Sequence, residues 1–562
     1  MTDVDLEAWR AQVREDLGGR EPEALRWRSV DGVVLEPLYT EGPAERGVPG
    51  APPFVRGSEA SREWRLVEEP RGADREAILA GARRALEGGA DAIWITPAAA
   101  ALLGGELEPL AALGAPVWIE GGDADAWLAA KSASITVLAD PLGRREALEP
   151  ALSRLASVLE RAATALPAAR PILVSSRPYH EGGASAVDEL ALLITSGVAY
   201  LRGLSDAGRP LADLPRRMLF ELSLDADFFL GIAKLRAARL LWSKVLRTIG
   251  VDGPEQGMRI RARSSRRVAT TLDPQLGVLR GTAAAFAAVA GGAELVTVAP
   301  YDELCRERDP HAERLARTTQ LVLREEAALG RVLDPAGGSY FLESLTDQLA
   351  REAWAVMQEI EHLGGVPRGL ADGSIRERVA AGAEARRQVL ATGALGMVAV
   401  NRYPSPDAPC EAAPMEGLAR DAAPFEAIRA RAAALPPERR RAVLVSVGDA
   451  RALRPRVDFA REQLRAAGLA IDVRAASSAA EALAFAREGG VAPVMIPVAS
   501  DEDYPALARE LVGPLREEGA LAIVLATRPS DALEALNVDA FVHRGGDLVR
   551  ALEAVLDALE AV

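Results

Sequence analysis

The densest group of side chains able to do chemistry lies in one short segment, Ser175–Gly183, which reads SSRPYHEGG. A histidine such as His180 can donate a hydrogen bond to a carbonyl or exchange a proton near neutral pH, and its neighbour Tyr179 can line a pocket. The segment follows a β-branched run, Ile172–Ser175, which predicts a buried strand. Tyr179 and His180 are therefore candidate pocket residues, and a purely structural role for the histidine stays open.

Other chemical motifs are missing from the sequence. No GxGxxG follows a strand-like run, and no P-loop or nucleophile elbow occurs. Cys305 and Cys410 form no CxxC pair and the four histidines have no HxxxH spacing, so we expect no metal site and two reduced thiols. A formal net charge of −15 argues against binding to a nucleic-acid backbone. Without a signal-peptide pattern or an apolar run of about 18 residues, we expect a cytoplasmic protein with no membrane contact.

The elements that must position these residues follow a repeating pattern of short apolar strands and helices. Eight parallel strands with intervening helices predict a (β/α)8 barrel, a TIM barrel, with its active site after the carboxyl ends of the strands. On this pattern Ser175–Gly183 leaves the fourth strand at the active-site end. The eight strand-like runs are Ala92–Ile95, Pro116–Ile119, Ile135–Leu138, Ile172–Ser175, Met218–Leu224, Arg259–Ser264, Leu295–Ala299 and Met397–Asn401.

Five further strand and helix pairs predict a second α/β domain, doubly wound and flavodoxin-like. We place an N-terminal arm at residues 1–73, the barrel at 74–403, a Pro-rich linker at 404–440 and the flavodoxin-like domain at 441–562. The arm has little core of its own, so we expect it to form an interface with the barrel or with a partner chain. The five strands are Ala442–Val447, Ile471–Arg474, Ala492–Pro497, Leu521–Ala526 and Ala540–His543.

Several long segments resemble the methylmalonyl-CoA mutase family, and together they cover nearly the whole chain. The resemblance implies a barrel that encloses a CoA ester and a C-terminal domain that presents cobalamin. It also implies adenosylcobalamin-dependent rearrangement of an acyl-CoA, usually methylmalonyl-CoA to succinyl-CoA. The segments are VDGVVLEPLYT at 30–40, PGAPPFVRG at 49–57, YHEGGA at 179–184, IAKLRAARLLW at 232–242 and the stretch Met258–Gly365.

Two departures from the family's pattern bear on catalysis. Catalytic members carry a tyrosine-bearing stretch after the PFxRG segment, whereas Gly57–Val67 has no tyrosine. Members that bind cobalamin carry Asp-x-His-x-x-Gly after the first strand of the C-terminal domain, where the histidine ligates cobalt and the aspartate orients it. Here Asp449 is followed at the histidine position by Arg451, and a guanidinium offers no lone pair to a metal. The resemblance thus implies a degenerate cobalamin loop.

A member with these departures is expected to be the small (beta), non-catalytic subunit of a heterodimeric mutase, and the segment Val137–Gly143 also resembles such subunits. Its partner would be the catalytic large subunit, which would hold the acyl-CoA substrate and the adenosylcobalamin. We therefore expect isomerase activity of the complex, with no catalytic, cofactor-binding or metal-ligating residue in this chain. Two alternatives stay open: a stand-alone acyl-CoA mutase, supported by Tyr179 and His180, and an acyl-CoA-binding or assembly module.

Overall fold

The N-terminal arm is held to the rest of the chain in part through the turn between its two short strands. The computed structural model describes residues 6–42, 47–60, 63–130, 132–251, 253, 256–405, 409–413, 415, 417–487 and 492–561. Helix α1 (Leu6–Asp16) buries none of its residues, and strands β1 (Trp27–Arg28) and β2 (Val34–Leu35) pair antiparallel. In the turn between the strands, Val33 is buried in the main core and the Asp31 carboxylate accepts a hydrogen bond from the Ala186 amide.

Eight parallel strands form the predicted barrel. Their order is β6-β5-β4-β3-β10-β9-β8-β7, and the barrel closes through a bridge between Ala139 and Ile172. The strands are β3 (Arg65–Glu68), β4 (Ala92–Ile95), β5 (Val117–Glu120), β6 (Ile135–Leu138), β7 (Ile172–Ser175), β8 (Met218–Leu224), β9 (Ile260–Ser264) and β10 (Leu295–Thr297).

Helices follow the strands, and several of them start at a residue whose side chain is an N-cap. The side chains of Thr96, Ser185 and Ser339, for example, each accept a hydrogen bond from a free amide of the first turn. The barrel helices are α2 (Arg75–Glu87), α3 (Pro97–Leu103), α4 (Glu108–Ala111), α5 (Ala124–Ala130), α6 (Leu148–Ala165), α7 (Arg177–Gly182), α8 (Ala186–Asp206), α9 (Phe228–Thr248), α10 (Gly277–Ala290), α11 (Pro310–Glu325), α12 (Tyr340–His362), α13 (Gly365–Asp372) and α14 (Ser374–Ala391).

One barrel strand was missed in the sequence, and one predicted strand was wrong. The first barrel strand is β3, which lies within the segment that the sequence assigned to the arm. The predicted eighth strand, Met397–Asn401, is outside the barrel: only β11 (Val398–Ala399) is extended, and it pairs with β12 (Arg402–Pro404). Met397 and Val400 are apolar because they pack in the second core, not because they belong to a barrel strand.

The second domain is the predicted flavodoxin-like sheet. Its five parallel strands have the order β14-β13-β15-β16-β17, so the chain direction across the sheet reverses between β13 and β15. A linker helix, α15 (Ala423–Ala434), shares its core. The elements are β13 (Arg441–Val447), α16 (Ala450–Arg465), β14 (Ala470–Ala476), α17 (Ala479–Arg487), β15 (Val494–Val498), α18 (Tyr504–Glu517), β16 (Ala522–Leu525), α19 (Asp531–Glu534), β17 (Ala540–Phe541) and α20 (Leu548–Glu560).

The linker crosses the carboxyl end of the barrel before it reaches this domain. Its Cys410 is bonded to Cys305 of the loop after β10, so the expectation of two reduced thiols was wrong. The same stretch pairs antiparallel with that loop, and further along the Asp421 amide donates to the carbonyl of Arg267 in the loop after β9. A sequence separation of 105 residues hid the proximity of the two cysteines.

Candidate functional site

The barrel interior begins with an apolar layer. Trp94 of β4 and Trp118 of β5 are register neighbours, and their rings stack with centroids 6.4 Å apart. Small and branched side chains from the other strands surround Trp94. The members of this layer are Val67, Ala92, Trp94, Leu138, Leu173, Leu219 and Leu295, with Trp118 packed against them.

Above the apolar layer, toward the carboxyl ends of the strands, ion pairs fill the barrel. Arg261 of β9 is fully buried, and its guanidinium lies 3.8 Å from the centroid of the Trp94 ring. It donates to the carboxylates of Glu221, its register neighbour on β8, and of Glu69, which follows β3. Burial alone would raise the pKa of Glu69, but Arg263 and Arg261 hold that pKa well below its usual range. These carboxylates are therefore charged and need the arginine.

The same pairing continues on both sides of Arg261. Arg263 donates to Glu69 and Glu303, and Arg177 of α7 donates to both oxygens of Glu120 at 2.9 and 3.0 Å. These ion pairs extend from β5 to the loop after β10, and together they form a charged layer. Its members are Glu69, Glu120, Arg177, Glu221, Arg261, Arg263 and Glu303.

The charged layer leaves little space at the carboxyl end, where a barrel enzyme binds its substrate. The cavity beside Ser264, Ser265 and Tyr301 has a volume of about 30 Å³. Such a volume holds one or two waters, whereas pockets for drug-sized ligands measure about 300–1,000 Å³. The residues that fill this end belong to the chain itself.

The large cavity of the barrel lies at the opposite, amino-terminal end. Its volume is about 1110 Å³, and Trp118, Leu219 and Leu295 of the apolar layer are among its walls. Polar and charged side chains at the amino ends of the strands complete the lining, including Arg170 and Arg259. The apolar and charged layers separate this cavity from the carboxyl end.

The two residues singled out by the sequence, Tyr179 and His180, are both buried in α7. His180 Nδ1–H donates to Glu189 of α8 at 2.9 Å, which leaves Nε2 to accept from the Ser265 hydroxyl at 2.7 Å. Lys234 of α9 also donates to Glu189, at 2.6 Å. The partners of His180 thus come mainly from the outer helices, and the histidine joins these helices to the end of β9.

Ser265, His180 and Glu189 share the hydrogen-bonding pattern of a hydrolase triad, but the surroundings differ. The Ser265 side chain is in a residue only 6% exposed, and its hydroxyl already accepts from the Arg267 amide. The Ser265 amide donates to the Leu224 carbonyl, so it is not free to stabilise an oxyanion. Burial, with a smaller contribution from Arg267, lowers the pKa of His180 to about 4, and the imidazole is neutral. The arrangement serves packing.

In the flavodoxin-like domain, Asp449 and Arg451 occupy a helix start. Only Gly448 and Asp449 separate β13 from α16. The Asp449 carboxylate accepts from the amides of Arg451 and Ala452, so it is the N-cap of α16. Arg451 is exposed on the first turn. The segment after the first strand of the domain is therefore helical from Ala450 onward. It does not form an extended loop that could present a side chain to a bound cofactor.

The crevice between β13 and β15, where a doubly wound domain binds its ligand, is bridged by a residue that the sequence did not single out. Arg456 of α16 donates to the Ala499 carbonyl at 2.8 Å and to Asp501, both beyond the end of β15. Beside it, the Tyr504 hydroxyl donates to the Pro497 carbonyl and accepts from the Ala526 amide. No motif marks an arginine or tyrosine in a helix for this role.

Within the part of the chain that the structure describes, no group of three or more acidic, histidine or cysteine side chains is arranged to hold a metal ion. Nor is any helix there long and apolar enough to cross a membrane.

The fold and the site define a class of protein, a TIM barrel followed by a flavodoxin-like domain. Comparison with known sequences identifies the family within this class. The family model for methylmalonyl-CoA mutase matches residues 144–478. The methylmalonyl-CoA mutase small subunit of Streptomyces virginiae is 34% identical, over 96% of this chain and 92% of that protein. The small subunit of Propionibacterium freudenreichii subsp. shermanii is 31% identical, over 98% and 94%. A protein named methylmalonyl-CoA mutase from Cereibacter sphaeroides is 28% identical, over 74% and 67%.

The chain belongs to the methylmalonyl-CoA mutase family. The predicted resemblance is confirmed, and with it the (β/α)8 barrel and the flavodoxin-like domain. Family membership implies cobalamin-dependent isomerase activity at the level of the complex.

Replacement of Arg261 by methionine tests whether the charged layer holds the barrel together. The variant leaves Glu221 and Glu69 without their shared cation, and breaking a buried ion pair costs about 3–5 kcal/mol. We expect the free energy of unfolding in urea to fall by that amount. Arg351→Ala is the control, because the Arg351 side chain is 79% exposed and a solvent-exposed charge in an ion pair contributes about 0–1 kcal/mol. Equal losses in the two variants would contradict the assignment.

His180→Gln tests the neutral histidine through the pH dependence of stability. The unfolded chain gains a proton at His180 as pH falls through 6.5, whereas the folded chain does so only near 4. Acid therefore favours unfolding in this window, by about 3 kcal/mol in total. Burial raises the pKa of Asp140 to about 7 and acts oppositely, so the difference between wild type and variant is the quantity to measure. We expect that difference to shrink from pH 6.5 to 4; a constant difference would show that His180 is not held neutral.

Proposed function

We propose that this chain is the non-catalytic small subunit of an adenosylcobalamin-dependent methylmalonyl-CoA mutase, which converts methylmalonyl-CoA to succinyl-CoA. It binds the catalytic large subunit and stabilises it, because a chain that binds only the folded partner shifts the partner's equilibrium away from unfolding. The charged layer is the observation that carries this proposal. Where a catalytic barrel encloses a thioester, this barrel contains its own arginines and glutamates.

The flavodoxin-like domain supports the same division of labour, since its residues do not fit a cobalamin. A cobalt ligand needs a free imidazole nitrogen, and Arg451 offers none. The aspartate that would orient such a histidine is the cap of α16. The crevice at the strand ends is bridged by Arg456. We therefore assign both adenosylcobalamin and the acyl-CoA substrate to the large subunit.

The N-terminal arm supports a role in assembly. Helix α1 carries Leu6, Trp9 and Val13 on one side at helical spacing, yet none of the three is buried within the chain. An amphipathic helix gains most of its stability from packing its apolar side. We assign that packing to the large subunit.

The large cavity at the amino-terminal end of the barrel favours a second candidate function, an acyl-CoA-binding or assembly module. Its volume is about 1110 Å³, enough for part of a large ligand, and arginines line it. Binding of an acyl-CoA to the isolated chain, measured by calorimetry, together with no stable association with a large subunit, would favour this candidate over the first.

Mutase turnover of the reconstituted complex tests the proposal. We expect no turnover by this chain alone, and full turnover when it is mixed with the longer homologous subunit of the same organism. His180→Ala in this chain should leave turnover of the assembled complex nearly unchanged, because the buried His180 side chain is hydrogen-bonded to Glu189 and Ser265 of this same chain. Gel filtration at a temperature where the variant is folded checks assembly. A loss of about 100-fold with assembly intact, or about 2.7 kcal/mol in the barrier, would contradict a non-catalytic role.

A further inference from the structure

A continuous series of aromatic ring contacts lies on one side of the barrel. Aromatics make up only 4% of the chain, yet four of its ten phenylalanines form one continuous series of ring contacts. Phe286 of α10 contacts Phe228, which contacts Phe229 of α9, which in turn contacts Phe341 of α12, with centroids 5.0–5.3 Å apart. Tyr39 of the arm packs on Phe341 at 5.2 Å. Three helices and the arm thus contribute to a single surface.

The inner members of this series are anchored and the outer members are exposed. Phe228 and Phe341 pack against the main core. Phe229 is 48% exposed, Phe286 is 38% exposed and the neighbouring Tyr340 is 42% exposed. An apolar area that packs on the core on one side and is exposed to solvent on the other is typical of a protein-binding site.

Helix α10 extends the surface and has the composition of a buried helix. Arg280 is its only charged residue, and the Arg280 guanidinium is bonded to the Val398 carbonyl. Leu279, Ala283 and Phe286 lie on one side at helical spacing, and Leu279 is 67% exposed. A helix that is apolar on all sides is normally buried on all sides.

We propose that this aromatic surface (Tyr39, Phe228, Phe229, Leu279, Phe286, Tyr340 and Phe341) is the contact through which the chain binds its partner, the barrel of the homologous large subunit. The inference rests on the proposed function and specifies where the partner binds. Interface centres are rich in aromatic residues and poor in charge, as this surface is. Related barrels that pair about a pseudo-two-fold axis bring the same side of each barrel into contact, so the partner presents an apolar helix side of its own.

Charge at the border of the surface favours that occupant over two others. Glu41, next to Gly42 whose backbone lies against Tyr340, is exposed, and the chain carries a formal net charge of −15. This negative charge disfavours another strongly acidic occupant. It repels an anionic lipid surface, and in a second copy of this chain it would place like charges together.

Glutamate substitutions on the surface test the proposal in the reconstituted complex. We expect Phe229→Glu/Phe286→Glu to weaken the dissociation constant for the large subunit by about 100-fold or more, since a charge buried in an interface centre is unpaired. Leu279→Glu, at a more exposed position that tolerates a charge in the free chain, should weaken binding by about 10-fold. Leu102→Glu on α3 is the matched control, because Leu102 is similarly exposed, at 45%, outside the surface. Thermal unfolding checks that each variant is folded.

The outcomes separate this proposal from the function on which it rests. Binding of the wild type and Leu102→Glu, with loss in the folded surface variants, supports the aromatic surface. Binding by all folded variants alike overturns the surface and leaves the subunit role standing. No binding by the wild type overturns the subunit role and the surface together. Dimerisation of the wild type alone that the surface variants abolish would assign the surface to a second copy and overturn the proposed partner.

Discussion

The pairing of Arg261 with Glu221 and Glu69 inside the barrel is the interaction on which the rest of the account depends. Removing charges from water costs several kcal/mol each, and a buried arrangement is tolerable only when every charge finds its partner. Here the arginines of β9 and α7 face glutamates from four other parts of the barrel. The residues depend on one another, because removing one of them leaves the opposite charge of its partner buried without its ion pair. Among the described residues, the cavity beside this layer at the carboxyl end is only about 30 Å³.

In the flavodoxin-like domain, too, side chains of the chain itself lie where a ligand would bind. In a doubly wound domain the ligand enters at the carboxyl ends of the strands, where the strand order reverses. Arg456 bridges this position and Asp449 begins a helix there. The linker is bonded through Cys410 to the loop after β10, at the carboxyl end of the barrel. Both halves of the chain thus place their own side chains at the positions where a TIM barrel and a doubly wound domain generally bind ligands.

The repeat of strands and helices could be predicted because buried parallel strands are continuous apolar runs. Strand β3 escaped prediction because its apolar part is only Leu66 and Val67, between Arg65 on one side and Glu68 and Glu69 on the other, and so short an apolar run looks like a loop in sequence. Met397–Asn401 was the opposite error, an apolar run that packs in a core without belonging to a barrel strand. The charged layer was also out of reach, since Glu69 and Arg261 pair across 192 residues of sequence. Tyr179 and His180 were found by type and position, but only the structure shows that both are buried and that His180 is hydrogen-bonded to Glu189 of α8 and to Ser265 after β9.

A titration of the purified chain with adenosylcobalamin, followed by visible absorbance and equilibrium binding, tests the central claim most directly. The same titration is repeated after addition of the longer homologous subunit. The account predicts no binding by the chain alone, and stoichiometric binding with mutase turnover in the mixture. Tight binding by the chain alone would contradict it, because the domain with Arg451 and Arg456 would then hold the cofactor after all.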